Sequence, residues 1–199
     1  MTVTIIRVNP ESVVSYGRDA QERFDSIRNE LKTLVSAVAE VRYFGPNAVS
    51  FKTNAAQLSA DFANRFNRDL GGIANSIRTT TTNIAAALGG QPISISVNGT
   101  PIDVPTIANV NYVDVDLTAL EGLERTVNQH FARIVELVDG HLQKLESTDW
   151  AGNAREKTVD AVRQFTSSSK SSCNEVQQML SRTITEQIRV AREADQGSS

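Results

Sequence analysis

The chain has 199 residues, enough for one domain or two small ones, with 20 basic against 23 acidic residues and a net charge of -3. That balance lacks the basic stripe of a nucleic-acid binder, and 6% aromatics argues against a deep aromatic-lined pocket. One Cys rules out an internal disulfide and a four-Cys zinc site, two His leave little for metal binding, and no apolar run approaches the roughly 18–20 residues that span a bilayer.

The first residues, MTVTIIRVNPES, have too short an apolar stretch and no small-residue cleavage site for a signal peptide. Pro10 stands where a helix can begin, and a first helix is expected from about Glu11 to Arg42. Its apolar positions are Val13, Tyr16, Ala20, Phe24, Ile27, Leu31, Leu34 and Val38, each three or four residues from the last. That period, close to 3.5, marks a seam that packs along its whole length. A second helix is expected from Pro46 to about Leu88, with Phe51, Ala55, Leu58, Phe62, Phe66, Ile73, Ile77, Ile84 and Leu88 in the same rhythm. Gly71-Gly72 interrupts it at about 1 kcal/mol per Gly, as a bend or a point of close backbone approach. The Thr79–Thr82 run is poor helix material, and Gly89-Gly90 is a natural stop.

Residues 91–116 change character, and three of the five Pro fall here (Pro92, Pro101, Pro105). Ile93 to Val97 alternates at period two, and Asn98-Gly99 is the strongest short hairpin signal, so a short β-hairpin is expected in this connection. Pro101 restricts its second strand to an edge. Asp116 is the candidate N-cap of a third helix, from about Leu117 to Glu146, with Leu120, Leu123, Val127, Phe131, Ile134, Val138, Leu142 and Leu145 on one stripe. A fourth helix is expected from near Trp150 to about Ala194, with Val159, Val162, Phe165, Cys173, Val176, Leu180, Ile184 and Ile188 on its apolar face. Residues 196–199 read as a disordered tail.

The halves match at a constant offset of 107 residues. Val13 pairs with Leu120, Phe24 with Phe131, Ile27 with Ile134, Leu58 with Phe165 and Ile77 with Ile184, with no gap. The turns fall in the same register: Tyr43 meets Trp150 and Gly45 meets Gly152. Two unrelated heptad stripes would often align somewhere, but they would not also align their aromatic-x-Gly turns. The chain therefore reads as a duplicated helical hairpin: residues 1–90, a connection at 91–116, and residues 117–195. The fold class is all-α, two antiparallel hairpins related by a pseudo-two-fold and packed as an elongated four-helix bundle, because each hairpin alone leaves an apolar stripe exposed.

Enzyme chemistry finds no support. His130 and His141, eleven residues apart on one helix, are separated by about 16 Å and cannot share a metal. Cys173 falls on the core stripe with no group placed to activate it. Asp114 and Asp116 look like capping residues, the Ser167–Ser172 cluster like a polar helix face, and neither Gly pair has the flanking strand and Lys of a phosphate loop. No catalytic, cofactor or metal residues are expected. Mixed acids and bases on narrow-striped helices favour mutual packing over membrane insertion.

Trp150-Ala151-Gly152, and Tyr43-Phe44-Gly45-Pro46-Asn47-Ala48 followed by Phe51, sit at the bends of two amphipathic helix pairs that cover nearly the whole chain. This arrangement resembles the WXG family, the small helical-hairpin proteins exported by type VII secretion systems, with Tyr43 in place of the first Trp. The resemblance implies a non-enzymatic, virulence-associated secreted protein or secretion helper. It would be exported folded, without a cleavable signal peptide, from the cytoplasm where it is made. It further implies recognition by the type VII secretion ATPase and carriage of a larger effector. In this reading Trp150, Gly152, Tyr43 and Gly45 set the turn geometry and serve transporter recognition, and the chain is a covalent, monomeric pseudo-dimer with no nucleic-acid partner. Family substrates typically carry a Tyr-x-x-x-Asp/Glu signal after the last helix. Here the Tyr residues are Tyr16, Tyr43 and Tyr112, none in the tail, so a signal would be variant or borrowed from a partner. The alternative is a helical scaffold that stays in the cytoplasm.

Overall fold

The computed structural model describes residues 5–197, so residues 198 and 199 of the expected tail lie outside the described residues. The architecture is an all-α four-helix bundle with two very short strand pairs. In chain order the elements are β1 (Arg7–Val8), α1 (Pro10–Glu40), β2 (Tyr43–Phe44), α2 (Pro46–Leu88), β3 (Asp114–Val115), α3 (Leu117–Glu146), β4 (Trp150–Ala151) and α4 (Asn153–Gln196). Helices α1, α2 and α3 fall within two residues of their expected ends. Helix α4 starts three residues later than Trp150, because the aromatic and its neighbour are drawn into a strand.

The helix starts follow ordinary capping chemistry. Asn9 Oδ1 accepts the Ser12 amide, and Asp116 Oδ1 accepts the Ala119 amide, each filling an orphan donor of a first turn. Pro10 and Pro46 occupy first helical positions, where the missing N–H costs nothing. Gly71-Gly72 does not break α2, which is continuous, and the only neighbour near Gly71 is Val97 at ordinary van der Waals distance.

The chain divides into two compact units, each containing a stretch of all four helices. The first comprises the residues up to Arg28 with Phe66–Thr100 and Val135–Ser171; the second comprises Asn29–Arg65, Pro101–Ile134 and the residues from Ser172 on. The first is filled by Val13, Tyr16, Phe24, Ile27, Leu70, Ile77, Val138, Leu145, Val159 and Val162, all buried. The second is filled by Leu31, Leu34, Val38, Phe51, Phe62, Leu120, Val127, Phe131, Leu180 and Ile184. Every residue expected on the α1 stripe is buried, whereas the α2 stripe runs out of cover: Ile84 is half-buried and Leu88 exposed.

The expected β-hairpin at residues 91–105 is absent; that stretch contains no strand. Backbone groups of Ser96, Asn98, Thr100 and Ile102 bond to helix side chains instead of to a partner strand. In the first unit the Gln21 amide donates to the Ser96 carbonyl (3.1 Å) and accepts the Ser96 N–H (2.9 Å). Arg28 donates to the carbonyls of Asn98 and Thr100, and Asn67 Nδ2 also donates to the Asn98 carbonyl. In the second unit Asn64 treats Ile102 as Gln21 treats Ser96, at 2.9 and 2.8 Å. Asn98 and Gly99 do form a turn, but a local one, with Asn98 Oδ1 accepting the Thr100 N–H. Ile93, Ile95 and Ile102 are the buried anchors of this strap. Gly17 admits it: a Cβ there would lie 2.7 Å from that of Ile93.

A candidate interaction site at the aromatic-glycine turns

The strands that do form lie at the two turns, and the 107-residue offset maps one pair onto the other. Tyr43 pairs with Val115 and Phe44 with Asp114; Trp150 pairs with Val8 and Ala151 with Arg7. Each turn from one half of the sequence is thus closed by the strand that opens the other half. The flanking hydrogen bonds correspond one for one. Asn9 N–H donates to the Asp149 carbonyl and Asp116 N–H to that of Arg42; Trp150 N–H donates to the Thr148 carbonyl and Tyr43 N–H to that of Val41. The ion pairs across the strands correspond with their charges exchanged. Arg7 sits on the strand and Asp149 on the turn in one unit, Asp114 on the strand and Arg42 on the turn in the other. Sequence reasoning missed both β1 and β3; the signal that could have found them is the β-branched run Ile5-Ile6-Arg7-Val8 before Asn9-Pro10, which the offset maps onto Tyr112–Val115.

All four residues singled out from sequence stand at these turns, two in each unit. Gly45 and Gly152 have φ of 121° and 122°, backbone angles that side chains resist. Trp150 is 5% exposed and lines two depressions. Tyr43 is equally buried, donates its hydroxyl to Gln187 Oε1 at 3.0 Å, and tilts against Phe51. Burial holds the Tyr43 phenol above its usual pKa. Beside it, the buried Lys52 ammonium lies 4.7 Å from the centroid of the Phe44 ring, and loss of hydration lowers its pKa.

A groove opens next to each turn. In the first unit it measures about 410 Å³ and runs between Ile6, Thr80, Ile84, Leu88, Trp150 and Gly152. In the second it measures about 240 Å³ and runs between Tyr43, Gly45, Val113, Val115, Val190 and Ala194. Among the described residues neither groove has a charged lining residue. Of the exposed large hydrophobic residues among those described, Ile5, Ile6 and Leu88 belong to the first turn region and Tyr112, Val113 and Val190 to the second, and Met179 stands elsewhere.

The remaining sequence candidates occupy other places. His130 Nδ1 lies 2.5 Å from Glu30 Oε2 in the second unit. His141 is buried in the first, with Nε2 2.8 Å from the Tyr16 hydroxyl. Cys173 is buried, and desolvation pushes its thiol up to about 12, far from the thiolate a nucleophile needs. Among the described residues no three His, Cys, Asp or Glu side chains cluster to hold a metal ion, and no helix is long and apolar enough to cross a membrane. What the turn regions offer chemically is apolar contact and exposed strand edge. No known protein family, curated protein or solved structure matches the chain.

Proposed function

We propose that this chain is a non-enzymatic substrate or helper of a type VII secretion system, exported folded as a covalent pseudo-dimer of WXG-like hairpins. The observation that carries the reading is the doubled turn. An aromatic, one intervening residue and a glycine at strongly positive φ recur at equivalent places, each beside an apolar groove rimmed by exposed aliphatic side chains. Apolar patches rimmed by polar surface mark sites of protein contact. Trp150 and Gly152, with Tyr43 and Gly45 as their counterparts, are the residues that shape those grooves. In this reading they are where the secretion ATPase, and a larger cargo protein, would be recognised.

The test is an immunoblot of culture filtrate and lysate from the producing cell, with and without its type VII secretion ATPase, against a cytoplasmic lysis marker. Appearance outside only in the presence of the ATPase supports export. Retention inside, while other substrates leave, removes the export reading and leaves a helical scaffold. The Gly152→Ala protein, checked first for folding, should be exported less than the wild type.

A further inference from the structure

The first unit buries a polar pair where the second buries two leucines. Tyr16 is fully buried and its hydroxyl lies 2.8 Å from His141 Nε2, with the rings stacked at 5.8 Å between centroids. The edge of Phe24 meets the imidazole at 4.8 Å. Shifting each residue by the 107-residue repeat places Leu123 at the position of Tyr16 and Leu34 at that of His141, both buried. The fold itself therefore accepts an apolar pair at this position. His141 Nδ1 is buried without a hydrogen-bond partner. One orphaned ring nitrogen is a modest cost for a neutral imidazole, and a severe one for an imidazolium, which must donate from both nitrogens.

The charged groups that bear on His141 come from α1: Arg23 and Asp19. The Arg23 guanidinium packs over Gly140, next to the imidazole, and is tied to Asp19 at 2.7 Å. Asp19 favours protonation of His141 and Arg23 opposes it, and both act less than burial does. Tyr16, held above its ordinary pKa chiefly by burial, stays a neutral hydroxyl and offers no counter-charge.

We propose that Tyr16 and His141 form an acid-responsive lock within the first unit, in which protonation of His141 leaves a buried imidazolium with no acceptor for its Nδ1–H and loosens α1 from α3 there. The inference is independent of export. Its sign follows from the surroundings. In the folded chain burial lowers the imidazole pKa to about 4, whereas in the unfolded chain it returns to about 6.5. The stabilisation is complete above the unfolded value and drains away as pH falls from there through the folded one.

The test compares the thermal unfolding midpoints of the wild type and the Tyr16→Leu/His141→Leu double variant, which copies the other half of the chain. Between about pH 7 and about pH 4.5 the wild-type midpoint should fall by roughly 5–10 °C more than that of the variant. Parallel curves would overturn the lock. Should the variant not fold, the His141 ring resonances of the wild type are titrated by NMR. An imidazole still neutral at about pH 5, followed by loss of native signals from residues 10–28 and 135–146, is the expected result. A ring that titrates near its ordinary value in an intact fold refutes it.

Discussion

Gly152 and Trp150 are neighbours in one turn, yet their replacement tests different things. A Cβ on Gly152 finds space, since its nearest contact is Ile6 Cγ1 at 3.5 Å. The penalty of Gly152→Ala is therefore backbone strain at φ 122°, about 1–3 kcal/mol. Trp150→Ala instead removes a buried ring that lines both depressions and leaves a cavity, at about 3–5 kcal/mol. Denaturant unfolding should rank the variants in that order, with Trp150→Ala the less stable. The reverse order would mean that the ring contributes little to packing. Gly45 is the more constrained counterpart, because its Cβ would also approach Val113 Cγ2 to 3.1 Å.

The strap is the element where local sequence signals and structure part company. The helices were legible because a period near 3.5 is a property of the segment itself, and the seam residues chosen from it are mostly buried. The turn residues were legible because glycine after an aromatic, just before a helix, implies an unusual backbone angle. The strap was not, because its partners lie 70 or more residues away for Gln21 and Arg28 and 38 away for Asn64. Alternation and Asn98-Gly99 indicate that the backbone is extended and turns, not which groups will satisfy it. A side-chain amide that accepts and donates to one residue imitates a neighbouring strand. Gln21→Ala leaves two Ser96 backbone groups without that partner, at about 1–2 kcal/mol. Gly17→Ala forces Ile93 off α1, since the new methyl would lie 2.7 Å from its Cβ. Both substitutions should speed proteolytic cleavage within residues 94–100 while leaving helical circular dichroism nearly unchanged. Unaltered cleavage would mean that the strap is held by its other anchors alone.

At the scale of the whole molecule, the contacts that define each unit join the two halves of the sequence. β1 of the first half pairs with β4 of the second, and β3 of the second with β2 of the first. Tyr16 meets His141, Phe62 meets Phe131, and Phe66 meets Phe165. Neither hairpin retains these partners when separated, and each would present its apolar stripe to water. The covalent connection therefore acts as a concentration term: it holds together two halves that already meet at both turns. Residues 1–106 and 107–199, produced as separate chains, should combine one to one and recover the helical content of the intact protein. Their melting temperature should rise with protein concentration, while that of the intact chain stays constant, because only the split form gains or loses a partner on unfolding. The break after residue 106 leaves the strap on the same fragment as Arg28 and Asn64, so its hydrogen bonds to α1 and α2 survive the split. If each half instead melts alone, cooperatively and independently of concentration, the hairpins are self-sufficient and neither unit needs residues from both halves.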